Sequence, residues 1–154
     1  MPAPLEYAQS QVGVREATGH NDGAPSKLFM DGEEGLEWCA GFVRTCFEKG
    51  SRPLPGNRWR IRACAEMLGQ LQAFDCEVPK ADACPEDIVF FTREHPGAGP
   101  TGHVGIIETV EEHTGIITTI EGNRGNAVGR GRYLLTDRRV LAICRWDGSK
   151  MHRL

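Results

Sequence analysis

The sequence predicts an α+β domain in which helices come first and a mostly antiparallel sheet packs beneath them. Three observations predict it. Apolar residues recur at helical spacing in the first half, short β-branched runs fill the second, and the two kinds of segment do not alternate. At 154 residues the chain fits one domain, 1–154, which can bury about two thirds of its unfolded surface. Charged residues make up 25% and the formal net charge is -3, so there is no global pull toward nucleic acid or an anionic membrane.

A first helix is expected over residues 5–14, where Leu5, Ala8, Gln9 and Val12 keep helical spacing up to Gly13. The polar stretch Thr18-Gly19-His20-Asn21-Asp22-Gly23 reads as a turn, and Leu28-Phe29-Met30 as a short apolar anchor. After the acidic loop Asp31-Gly32-Glu33-Glu34-Gly35, a second helix starts at Cys39, with Phe42, Val43, Cys46 and Phe47 at i+3, i+4, i+7 and i+8. It stops at Lys49-Gly50, ahead of Pro53 and Pro55. Residues 60–74 read as a third helix with Ile61, Cys64, Ala65, Leu68 and Leu71 on one face.

The period then changes to that of strands. These are expected over residues 87–92, 103–110, 115–121 and 139–146, with a loop of Pro96, Gly97, Gly99, Pro100 and Gly102 after the first. Glu111-Glu112-His113 joins the second and third strands. A hairpin centred on Glu112 places His103 directly opposite Glu121, on the same face and with Cβ atoms about 4.5–5.5 Å apart.

That pairing bears on Cys39. A thiol in the first turn of a helix lies near unpaired N–H groups and the positive end of the dipole, which favour the thiolate. A carboxylate beside a histidine fixes its tautomer and favours imidazolium, the partner a thiolate needs. Cys39, His103 and Glu121 therefore read as nucleophile, base and orienting group. The six cysteines (39, 46, 64, 76, 84 and 144) contain no C-x-x-C pair, which argues against a zinc knuckle, and the five besides Cys39 are expected as reduced thiols. Arg124, Arg130, Arg132, Arg138 and Arg139 make the last third locally basic, as a solvated surface or a face toward an anionic wall. His95, His113 and His152 fall in expected loops or the tail, and His20-Asn21-Asp22 in a polar turn.

Trp38-Cys39-Ala40-Gly41-Phe42-Val43, Asp87-Ile88-Val89-Phe90-Phe91, Gly102-His103-Val104-Gly105-Ile106 and Ile120-Glu121-Gly122-Asn123 resemble, in order, the landmarks of CHAP domains. These are the cysteine, histidine-dependent amidohydrolases/peptidases of the NlpC/P60 superfamily. The resemblance runs from about residue 8 to 146. It implies a papain-like fold and hydrolysis of peptidoglycan amide bonds, with Cys39 as nucleophile, His103 as base, Glu121 orienting and Asn123 assisting. The chain departs from the family pattern at Gly41, where a second alanine is common, and at Glu86, where a glycine is common.

The resemblance implies an N-acetylmuramoyl-L-alanine amidase or peptide endopeptidase serving as a phage lysin or antibacterial effector, with peptidoglycan or its peptides as partner. An immunity or carrier protein is a candidate partner, and a monomer is expected. The competing readings are a cytosolic amidase or acyltransferase on small γ-glutamyl or polyamine conjugates, and a non-catalytic binding module. No cofactor is expected. Some family members carry calcium in the acidic loop, which makes Asp31, Glu33 and Glu34, with Glu37, the candidate ligands, although their spacing is not that of an EF-hand. With no basic stretch leading into an apolar run near Met1, the chain is expected to be made in the cytoplasm without a signal peptide, then to act at the bacterial cell wall after release or non-Sec export.

Overall fold

Cys39, Ala40, Phe42, Val43, Cys46 and Phe47 are each at most 4% exposed, and Gly41, Arg44 and Thr45 are buried with them, so this helix is enclosed beyond the one face read from the spacing. The structure is a computed structural model and describes residues 2–93 and 101–150. Its helices are α1 (Pro4–Ser10), α2 (Ala24–Phe29), α3 (Cys39–Lys49) and α4 (Cys64–Ala73). The strands are β1 (Glu77–Val78), β2 (Ile88–Thr92), β3 (Thr101–Glu111), β4 (Ile116–Arg124), β5 (Ala127–Leu134) and β6 (Val140–Cys144). They form one sheet in the order β1-β6-β2-β3-β4-β5, with every pairing antiparallel.

The sheet separates two apolar layers. Ile88, Phe90, Val104, Ile106 and Ile120 face the helices, whereas Val89, Phe91, Ile107, Ile117 and Ile143 pack on the other side. Both faces of β2 are covered, which is why its sequence is a continuous apolar run and not an alternation. Phe91 pairs with His103, so the imidazole belongs to the face that α3 does not cover.

Several expectations change. The helix expected over 60–74 is broken: Arg60–Arg62 is a 3-10 turn, Ala63 is extended, and α4 begins at Cys64. Arg62 holds the turn by donating to the Met30 carbonyl and to Glu33, while Ile61 is buried beneath it. The anchor read at Leu28-Phe29-Met30 belongs to the end of a short helix, α2, and β5 was not expected at all. The stop of α3 is also built differently. The left-handed residue is Ser51 (φ 60), and Ser51 and Arg52 donate back to the Glu48 and Phe47 carbonyls in a Schellman closure. Gly50 serves packing instead, because a Cβ there would lie 2.4 Å from the Pro4 ring. The loop expected at Pro96, Gly97, Gly99 and Pro100, with His95, lies outside the described residues, as does His152.

Both departures from the family pattern have structural causes. A Cβ on Gly41 would sit 2.4 Å from Met30 Sδ and 2.5 Å from the Phe29 carbonyl oxygen, so α2 approaches α3 too closely for alanine. Gly41→Ala is expected to destabilise the fold by about 1–3 kcal/mol despite alanine's better helix propensity. Urea unfolding measures this, and an unchanged or raised midpoint would contradict it. Glu86 stands at φ 77, a conformation that suits glycine, and its carboxylate accepts from the Leu5 N–H and pairs with Arg52.

Candidate active site

Cys39 is the first residue of α3, and helix geometry leaves its N–H without an intrahelical partner. The residue before it is fixed by a buried acid: Trp38, fully buried, donates its indole N–H to Glu16 at 2.7 Å, and Glu16 also accepts from the Asn21 N–H. Arg44, 1% exposed, ties the preceding loop to the same helix by pairing with Asp31 at 2.9 Å and donating to the Phe29 carbonyl. Glu16 and Arg44 carry no motif. Nothing in the sequence separates them from surface charges.

His103 Nε2 lies 2.6 Å from Glu121 Oε1. The geometry behind this contact differs from the expected register. Ile106 pairs with Ile120 and Ile107 with Thr119, and a bulge follows between Ile107 and Thr109. Continuing that pairing puts Gly105, not His103, opposite Glu121, with His103 the diagonal neighbour. A shift of two residues preserves the face, so the imidazole and the carboxylate still meet. Two glycines make room for that reach. A Cβ on Gly105 would stand 2.7 Å from Glu121 Cγ, and one on Gly131 would stand 2.3 Å from Glu121 Oε2.

The carboxylate in this slot is almost fully buried and saturated. Thr119 and Tyr133 donate to Oε2, the latter at 2.9 Å, and Arg124 lies 3.6 Å from Oε1 while donating to the Tyr133 hydroxyl. Burial alone would raise the Glu121 carboxyl. Hydrogen bonding and charge from His103, with the two hydroxyls, outweigh it and hold the group below its ordinary value. With Nε2 committed to Glu121, Nδ1 is the ring nitrogen left for Cys39.

The thiol and imidazole shift each other. Cys39 lies well below the ordinary thiol range, through hydrogen bonding from Cys64 first, against burial, and then through the hydrogen bond and charge of His103 and the Ala40 N–H. Burial pulls His103 down, but hydrogen bonding to Cys39 and Glu121 and their charges win, and its pKa rises to about 10. Both shifts favour the thiolate and imidazolium forms of the pair. The pair opens onto a cleft of about 660 Å³ lined by Asn21, Leu36, Trp59, Arg60 and Cys64, and a second hollow of about 370 Å³ lies beside His103. Glu37, Arg93 and Gly102 border both, so a chain can pass on either side of the reacting pair.

Residues 31–123, more than half the chain, match the family model of the CHAP domain. The chain belongs to the CHAP family. CHAP proteins are cysteine amidohydrolases and peptidases of peptidoglycan. No curated protein is significantly similar to this CHAP chain in sequence. Among solved structures it is similar to a lipoprotein-like NLP/P60 family protein of Staphylococcus aureus subsp. aureus Mu50, with TM-score 0.57 and 15% identity. That match covers 94% of this chain and 40% of the other, so the CHAP chain spans well under half of that neighbour. It is also similar to the P60 domain of an antigen from M. avium subspecies paratuberculosis, with TM-score 0.51 and 15% identity over 92% of this chain and 93% of that one. The shared fold is the papain-like α+β arrangement.

Asn123 and the acidic loop are the remaining residues expected at this CHAP site. Asn123 (φ 57) follows Glu121 by two residues, and its amide donates to Asn21 Oδ1 at 3.4 Å. Asn21 in turn lines the cleft. Three carboxylates of the acidic loop have partners within the protein. Asp31 is taken by Arg44 and Arg58, Glu33 by Arg62, and Glu34 by the Gly23 N–H. Among the described residues no three acidic, thiol or imidazole side chains gather as metal ligands.

Proposed function

We propose that this chain hydrolyses amide bonds of peptidoglycan, as a muramoyl-L-alanine amidase or stem-peptide endopeptidase, with Cys39 as nucleophile. One observation carries the reading: His103 is held between a helix-start thiol and a saturated, buried carboxylate. The Cys39 thiolate attacks the carbonyl carbon, and the developing oxyanion is met by the Cys39 backbone N–H at the helix start. The His103 imidazolium then donates its proton to the leaving amine, and the neutral ring takes a proton from the water that hydrolyses the thioester. Glu121 keeps Nε2 protonated throughout, so Nδ1 always faces sulfur. We place the activity at a bacterial cell wall, as a lysin or antibacterial effector, and expect it to need no metal, since Asp31 and Glu33 of the acidic loop are paired with arginines.

Purified sacculi and defined muropeptides test this by mass spectrometry of the released fragments. The expected result is a new amine and a new carboxyl terminus at one amide bond, undiminished after exhaustive chelation. Release of nothing from either substrate, with turnover of small γ-glutamyl amides instead, would overturn the substrate assignment.

A further inference from the structure

The cleft holds a second sulfur that the hydrolytic cycle does not use. Cys64 Sγ lies 3.6 Å from Cys39 Sγ, and both side chains are nearly buried, at 9% and 4% exposed. The break at Ala63 puts it there. Had the helix run unbroken from residue 60, Cys64 would lie inside it; as built, Cys64 opens α4 and meets the first residue of α3. Both sulfurs line the 660 Å³ cleft, so a small oxidant reaches them, while the other free thiols lie elsewhere.

We propose that Cys39 and Cys64 are a reversible redox pair: a peroxide-class oxidant joins them as a disulfide that switches the site off, and a thiol reductant restores it. In the first step the Cys39 thiolate attacks one oxygen of hydrogen peroxide. An S–O bond forms, the O–O bond breaks, sulfur gives up two electrons, and the departing hydroxide leaves as water with the proton of the His103 imidazolium. In the second step the Cys64 sulfur attacks the sulfenic sulfur. The S–S bond forms, the S–O bond breaks, and a second water carries away the Cys64 proton. A dithiol reductant returns two electrons and two protons.

Chemistry favours this order. Cys39 is the activated sulfur and meets the oxidant first. Cys64 is held protonated chiefly by its hydrogen bond to Cys39, then by burial and by the charge of the neighbouring thiolate. Conversion of Cys39 to neutral sulfenic acid removes that charge, so the resolving thiol is released for attack once there is something to resolve. The sulfurs need to approach by only about 1.5 Å to reach a normal bond length. Closure would also shelter Cys39 from irreversible sulfinic and sulfonic oxidation.

The effect on hydrolysis rests on Cys39 being the nucleophile, whereas formation of the bond does not, so the test reads the bond directly. Wild-type protein is treated with hydrogen peroxide and analysed by intact mass and non-reduced peptide mapping, alongside Cys64→Ser and Cys64→Ala. The expected wild-type product has lost two hydrogens, links the Cys39 and Cys64 peptides, and regains activity to within about twofold on dithiothreitol treatment. Both variants are expected to add two or three oxygens at Cys39 and to recover at least about tenfold less activity. Oxygen addition at Cys39 of the wild type with no linked peptide would overturn the proposal, whether or not the variants fold. A linked peptide in a protein that never cleaves peptidoglycan would uphold the redox pair and fail only the hydrolase reading.

Discussion

Cys39→Ser is expected to lower turnover of muropeptides by on the order of 10⁴-fold or more while leaving the unfolding midpoint close to wild type. Serine fits the site, since sulfur to oxygen shrinks one buried atom and keeps the backbone N–H groups around it. What it loses is ionisation. The surroundings of Cys39 hold a thiol far below its ordinary value, but an alkoxide lies too high for the same hydrogen bonds and the same imidazolium to reach. Single-turnover rates on a defined muropeptide provide the measurement. A serine variant within tenfold of wild type would remove Cys39 as nucleophile.

How much of this site could be read from the chain depends on what kind of signal each residue leaves. Cys39 was legible because two signals coincide, a glycine-rich loop ending and an apolar stripe of period 3.6 beginning. His103 and Glu121 were legible only as a pair on one face. The hairpin register was off by three residues beside the turn, and only the bulge between Ile107 and Thr109, which makes the error two, kept the two side chains on the same side. β5 was missed because its sequence, Ala-Val-Gly-Arg-Gly-Arg-Tyr-Leu, lacks the β-branched density that marks a strand. The reason lies in the site itself: Gly131 is glycine so that the Glu121 carboxylate can lie beside β5, and Tyr133 beyond it supplies a donor. The feature that hid the strand is thus the one that serves the chemistry. Glu16, Arg44 and the break at Ala63 left no periodic trace, since each acts through a partner far along the chain.

Glu121→Gln is expected to cost about 10²–10⁴-fold in kcat/KM and to move the alkaline limb of the pH profile to lower pH. In the wild type the active form is thiolate with imidazolium, so activity rises as the pH passes the depressed Cys39 value and falls as His103 loses its proton near about 10. Glu121 helps to raise that upper limit by accepting from Nε2 and by its charge. A neutral amide removes the charge, the imidazolium is less favoured, and the fall begins earlier. Geometry decides the rate. Thr119 and Tyr133 both point donors at Oε2, so glutamine settles with its oxygen toward them and its NH₂ toward His103. The ring must then present a lone pair at Nε2 and a hydrogen at Nδ1, the tautomer that cannot take a proton from the thiol. The slot that saturates the carboxylate therefore turns the nearest isostere into a block. A Glu121→Gln protein with the wild-type alkaline limb and rate would show that His103 is oriented by something other than this carboxylate.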